Sequence, residues 1–394
     1  MRFLVATTLV FGALLAPAGA DETAKAPEAT APRTIDLAIC LDTSNSMDGL
    51  IDAARRKIWT IVNDLALAKP EPQLRVALLA YGGHSYPQDA GFVRVAAALT
   101  PDLDLISREL FALSAGGSVE YVGRVVDRAT RELQWSPEPG ALKLIIVAGN
   151  ESADQDRLRP YRDVCRSAIA RDIMVNAIYC GPETDAIAPG WREIAKLADG
   201  QFASIDKDNG TVAIASPYDA ELARLSGEIN TTYLYYGEGG RGAWLNQTVQ
   251  DRNAADLNSD AQASRAQLKS GKLYHNSHWD LVDAIKEEKF DLAEVNAAHL
   301  PEVMRPMTLE QRKQHIDAMR KKRSGIQAQI AKLSESRSKF VEKAMLEHDE
   351  TKALDFAIRK ALREQAQSRG FTFESHKAQS ASQKLLEETP LQRP

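Results

Sequence analysis

Neither sign of charge predominates in this sequence: 49 Lys and Arg stand against 54 Asp and Glu in 394 residues. That balance excludes the basic footprint of a nucleic-acid-binding surface, so no nucleic-acid partner is expected. Cysteine is scarce. The three, Cys40, Cys165 and Cys180, do not have the spacing of a zinc finger, and an odd number leaves at least one thiol unpaired in an oxidising compartment. The apolar run Phe3–Leu15 is shorter than the ~20 residues needed to span a bilayer, which argues against a membrane anchor there. Also missing are a Gly-x-Ser-x-Gly elbow, a phosphate-binding loop and a His-Glu-x-x-His helix, so the enzyme classes built on them are excluded and a non-enzymatic role is expected.

The first residues combine a basic start at Arg2, that apolar run, and small residues at Ala18 and Ala20. They read as a signal peptide over 1–20, followed by a flexible tether over 21–33 without apolar periodicity. Export is the expectation, to a bacterial periplasm or beyond, with no transmembrane segment after cleavage. Cys40 lies in an apolar run and reads as a buried thiol. Cys165 on a helix and Cys180 at a strand end could bridge, but a helix rises ~1.5 Å per residue and a strand ~3.3 Å, which leaves them at different heights; the bridge stays open but is not favoured. Asn-x-Ser/Thr triplets begin at Asn150, Asn209, Asn230 and Asn246 and matter only in a glycosylating host.

From Thr34 onward, apolar runs alternate with helical patterns. Ile35–Leu41, Leu74–Ala80, Leu142–Ala148 and Ile173–Tyr179 are short and continuously apolar, as parallel strands buried on both faces are. Phe92–Leu99 suits an edge strand and Gln201–Ile205 a last one. Leu50, Ala54, Ile58, Ile61 and Leu65 share one helical stripe, and Val122, Val125, Ala129 and Leu133 another. The fold class is therefore α/β, a doubly wound, mostly parallel sheet over 34–210, whose ligand site belongs beyond the carboxyl ends of the strands. A mainly helical C-terminal part follows: an irregular and helical connecting region over 211–301, a long-helix hairpin or coiled coil over 302–370, and a disordered tail over 371–394. Thr308 and Gln311 form a capping box, after which Ile316, Met319, Arg323, Ile326, Ile330, Leu333, Arg337, Phe340 and Ala344 keep a three-four spacing. Two arginines weaken that seam as an oligomerising coil. The spacing favours instead a helix packed within the chain, in a hairpin with Leu354, Ile358 and Leu362.

Directly after the first strand comes Asp42-Thr43-Ser44-Asn45-Ser46, then an amphipathic helix. A carboxylate and two hydroxyls at alternate positions aim at one small hard cation such as Mg2+, which takes oxygen ligands in near-octahedral geometry. The plainer reading is that Asp42 and Ser46 cap the helix. In this position the motif resembles the metal-ion-dependent adhesion site of the von Willebrand factor A superfamily, over roughly 34–207.

The resemblance implies strand order 3-2-1-4-5-6 and a divalent cation, Mg2+ or else Mn2+ or Ca2+, held by Asp42, Ser44 and Ser46. It implies two further elements. The family's Thr after a Gly pair corresponds to Ser118 in Gly116-Gly117-Ser118, with Glu120 two residues on. The family's Asp after the fourth strand is missing, because the stretch reads Ala148-Gly149-Asn150-Glu151; Glu151 is the nearest carboxylate and Asn150 offers an amide oxygen. His84 in Tyr81-Gly82-Gly83-His84 falls at the same edge and resembles a Tyr-x-x-His variant of the family. The functional expectation is protein binding, with a partner's carboxylate completing the cation's shell. An alternative is a metal-free scaffold whose helical C-terminal region makes the contacts. A third reading, metal-dependent hydrolysis with His84, Glu120 or Glu151 as base, rests on proximity alone.

Overall fold

The computed structural model describes residues 33–204, 214–347 and 354–373. The expected signal peptide, all of the tether but Arg33, Ile205, Asn209 and residues 374–394 lie outside them, as do the side chains of Leu50, Ile58, Leu354 and Ile358.

Six strands make one sheet: β1 (Thr34–Asp42), β2 (Gln73–Tyr81), β3 (Val93–Thr100), β4 (Leu142–Gly149), β5 (Met174–Tyr179) and β6 (Phe202–Ser204). Their spatial order is β3-β2-β1-β4-β5-β6, with every neighbour parallel except β3, which runs antiparallel to β2 at the edge. This is the order that the resemblance implied. β1 is central, and its side chains alternate between two cores because successive residues of a strand face opposite ways. Ile35, Leu37, Ile39 and Leu41 face α1 (Asp48–Leu65) and α2 (Leu103–Phe111). Ala38 and Cys40 face α3 (Val122–Glu132), α4 (Tyr161–Ile169) and α5 (Ala188–Leu197). Burial on both sides explains why these strands read as continuous apolar runs. All three cysteines are buried and free; desolvation pushes the Cys165 thiol up to about 12 and the other two higher still.

The connecting region, as far as it is described, packs against the helices of the sheet. Helices α6 (Asp219–Asn230), α7 (Gly240–Leu257), α8 (Ser259–Ser270) and the short α9 (Leu281–Ala284) belong to the same compact unit as the sheet. α8 packs on α1 and α7 on α2, so Leu222, Leu225, Ile229, Ala263 and Leu268 join the core under α1. A buried ionic cluster fastens this contact. Arg265 of α8 reaches Asp104 of α2 (Nη2–Oδ1 2.6 Å) and Asp251 of α7 (Nε–Oδ1 2.8 Å). Lys269 reaches Asp251 (2.6 Å) and also donates to Asn230 Oδ1 and the Ser226 carbonyl, both at 2.8 Å.

The long helix α10 (Leu309–Glu347) starts at the expected capping box, where Thr308 N–H donates to Gln311 Oε1 at 2.8 Å and Gln311 N–H to Thr308 Oγ1 at 3.2 Å. Its seam faces α6, α8 and α9, burying Ile316, Ile326 and Ile330. The two arginines are anchors there. Arg323 donates to Asp280 (2.6 and 3.2 Å) and to Thr232, and stacks 4.0 Å from the Tyr233 ring centre. Arg337 reaches Asp219 at 2.8 Å and Asp260 at 2.9 Å.

Helix α11 (Leu354–Ser368) packs chiefly on α1 and β6. That corrects the hairpin expectation, because Leu362 and Ala366 find apolar partners in the α/β core. Arg363 pairs with Asp64 of α1, and the side-chain amides of Gln365 and Asn176 of β5 bond reciprocally at 2.9 and 3.0 Å. Order also extends beyond Gly370. Phe371 is buried, and Thr372–Phe373 pair antiparallel with Ala68–Lys69, so the expected disorder does not begin at 371.

Candidate metal centre

The carboxyl ends of β1, β2 and β4 meet where strand order reverses, with Asp42 opposite Tyr81 and Leu41 opposite Ala148. Three loops are pinned together there by backbone bonds. Thr43 N–H donates to the Tyr81 carbonyl at 2.8 Å, Gly116 N–H to the Thr43 carbonyl at 2.8 Å, His84 N–H to the Gly116 carbonyl at 2.7 Å and Asn45 N–H to the Gly117 carbonyl at 3.1 Å. The approach is close enough to demand glycine: Gly117 has φ +143°, and a Cβ on it would lie 1.8 Å from the Gly82 carbonyl oxygen.

Asp42 is fully buried at the end of β1. One of its oxygens, Oδ1, accepts from Ser44 N–H at 2.8 Å. Capping is not what these side chains do, since α1 begins after Met47 with no side-chain cap. Ser44 is buried and its Oγ lies 3.2 Å from that of the exposed Ser46; Ser46 Oγ in turn accepts from Asn150 Nδ2 at 3.0 Å.

Glu120, buried just before α3, comes within hydrogen-bonding reach of both Asp42 and Ser44, and its backbone N–H is held by Gln155 Oε1 at 3.3 Å. Asp42 Oδ2 and Glu120 Oε2 are buried without any hydrogen-bond partner. Two carboxylates at such a place repel each other and lack water. Burial first, then the Glu120 charge, pushes Asp42 up to about 8. Burial raises Glu120 as well, with hydrogen bonds to Ser44 and Asp42 opposing and the Glu151 charge adding.

Of the residues singled out in the sequence, Asp42, Ser44, Ser46 and Glu120 are thus brought together, with Asn150 against Ser46. Ser118 and Glu151 are exposed around them. Among the described residues no three His, Cys, Asp or Glu side chains are grouped to hold one metal ion; the exposed Glu151 acts on Glu120 through its charge. Its carbonyl accepts from Trp191 Nε1 at 2.8 Å. His84 is exposed and enters the site's architecture through its backbone N–H.

One participant was missed. The buried Tyr81 hydroxyl crosses beneath β1 to donate to the Ala148 carbonyl at 3.0 Å. Its position at a strand end was legible, but no spacing rule indicates how far a tyrosine reaches across neighbouring strands.

The α/β part is a von Willebrand factor A fold, by its strand order, its antiparallel edge strand and the Asp-x-Ser-x-Ser turn closing its central strand. No family model matches the sequence, and no curated protein matches it. Solved structures similar to the chain include the VWA domain of SpRpn10, at 15% identity over 43% of this chain and 87% of that one, TM-score 0.35. A von Willebrand factor type A protein from Catenulispora acidiphila matches at 18% identity over 53% of this chain and 47% of that one, TM-score 0.35. Proximal thread matrix protein 1 from the mussel byssus, with a zinc-occupied MIDAS motif, matches at 14% identity over 45% of this chain and 43% of that one, TM-score 0.34. The chain therefore spans less than half the length of the latter two. Among the described residues no helix is long and apolar enough to cross a membrane.

Proposed function

We propose that this protein is an exported protein-binding module without catalytic activity, which recognises its partner through a divalent cation at the carboxyl edge of the sheet. The observation that carries the reading is a pair of buried oxygens without a hydrogen-bond partner, Asp42 Oδ2 and Glu120 Oε2, on side chains within hydrogen-bonding reach of each other, with the Ser44 hydroxyl 3.2 Å from that of Ser46. Buried polar atoms without partners are uncommon in folded proteins, and an absent ion is one standard reason for them. An all-oxygen set with two carboxylates suits Mg2+, which commonly keeps several waters and relies on one or two carboxylates. Asp42, Ser44, Ser46 and Glu120 would hold the ion, which would act as a Lewis acid toward a partner's carboxylate. The surrounding chain contributes rigidity, since Gly116, Gly117 and Thr43 fix the loops by main-chain bonds. Export rests on the N-terminal pattern of the sequence.

The test is capture of envelope proteins by the purified chain with Mg2+ and with EDTA, using wild type and Asp42→Ala. A band retained with Mg2+ and lost both with EDTA and in the variant is the expected result. A band that persists in all three conditions would move the contact surface away from the site.

A further inference from the structure

The Asp-x-Ser-x-Ser turn is intact in this chain, whereas the carboxylate that the resemblance puts after the fourth strand is missing; the surroundings of Gly149 supply a steric reason. A Cβ built on Gly149 would lie 2.4 Å from Tyr81 Oη, 3.1 Å from Trp191 Cη2 and 3.3 Å from Asp42 Oδ2. Neither aromatic ring is free to withdraw. Tyr81 ends β2 within the core that faces α3 to α5, is 1% exposed, and has its hydroxyl bound to the Ala148 carbonyl. Trp191 is also 1% exposed and tied through Nε1 to the Glu151 carbonyl. Interiors packed to this density answer an added methyl group with strain.

We propose that Tyr81 is the residue that decides where the second carboxylate of the site comes from. Its hydroxyl occupies the space that an acidic side chain at position 149 would need. The end of β4 is thereby confined to glycine, and the second anion enters from the opposite loop as Glu120. Tyr81, Gly149 and Glu120 form one linked choice: the tyrosine and glycine close one wall, and the glutamate compensates from the other. Two carboxylates are kept, so the charge facing a divalent ion stays at about −2 when both are ionised. The cation part of this inference rests on the function proposed above; the steric part does not.

Two sets of variants test it on thermal stability and on Mg2+ binding by titration calorimetry. In the first set, Gly149→Ala should lower the melting temperature by several degrees, as overpacking does, and Tyr81→Phe combined with Gly149→Ala should recover most of that loss relative to Tyr81→Phe alone. In the second, Glu120→Gln should weaken Mg2+ binding by at least about tenfold, through loss of one of two anionic ligands. Adding Tyr81→Phe with Gly149→Asp to that variant should restore affinity to within about tenfold of wild type, whereas adding Gly149→Asp alone should not. Gly149→Ala as stable as wild type, absence of rescue by Tyr81→Phe, or a triple variant no better than Glu120→Gln would each overturn the proposal. A wild type that binds no Mg2+ while the stability rescue holds would contradict the cation reading and leave the exclusion by Tyr81 standing.

Discussion

Arg265→Met is expected to destabilise the protein by about 3–5 kcal/mol, the cost of leaving a buried charge without its partner. Arg265 is 1% exposed and bridges two aspartates from different helices, Asp104 and Asp251. Its guanidinium also stacks 5.3 Å from the Trp59 ring centre and 5.1 Å from that of Tyr274. In the variant, Asp251 keeps Lys269 and Asn230, but Asp104 is left with the Tyr274 hydroxyl at 2.5 Å. Burial already raises the Asp104 carboxyl, with Arg265 as the main opposing influence, so removing the arginine raises it further. Against a total stability of ~5–15 kcal/mol this loss brings the variant close to the edge of folding. Urea unfolding reads it directly. Asp104→Asn added to Arg265→Met should cost less than the two single losses combined, because both ends of one pair are then removed. A single variant within about 1 kcal/mol of wild type would show that the cluster does not hold the helical layer to the sheet.

Deletion of residues 302–394 is expected to leave no cooperatively folded protein. The deleted segment contains Ile316, Ile326 and Ile330 of α10, Leu362 of α11, and Phe371, all buried. At about 1.5–3 kcal/mol for each large apolar side chain fully buried, their combined contribution is on the order of the whole stability of a domain. Asp280, fully buried and held by Arg323, would lose its cation as well. The measurement is near-ultraviolet circular dichroism with gel filtration: loss of the aromatic signal and aggregation are expected. A monomeric product with a sharp unfolding transition would contradict the placement of α10 and α11 in the core. For the same reason, a contact surface on the helical region is probed by substitutions at exposed positions of α10, not by removing it.

The parallel strands were legible because burial on two faces leaves an unmistakable apolar run, and Asp42 was legible because a short hydrophilic turn follows such a run. The helical part was harder to read. Arg323 and Arg337 looked like defects in a coil because their partners, Asp280, Asp219 and Asp260, are far away in sequence. A periodic stripe says that a helix is packed on something, not on what; α11 carried a stripe that suited α10 and spent it on α1. In the site, Glu120 was distinguished from Glu151 only by the loops, which bury the first beside Asp42 and leave the second exposed. The exclusion at Gly149 depends on the reach of one tyrosine ring across a sheet.

The most direct measurement is calorimetric titration of Mg2+ into the wild-type chain, Asp42→Ala and Glu120→Gln under one set of conditions. The account predicts saturable one-to-one binding to the wild type, none to Asp42→Ala, and binding weakened by at least about tenfold in Glu120→Gln, because each carboxylate supplies one of the two anions facing the ion. Equal heats for all three chains, or no heat from the wild type, would contradict it.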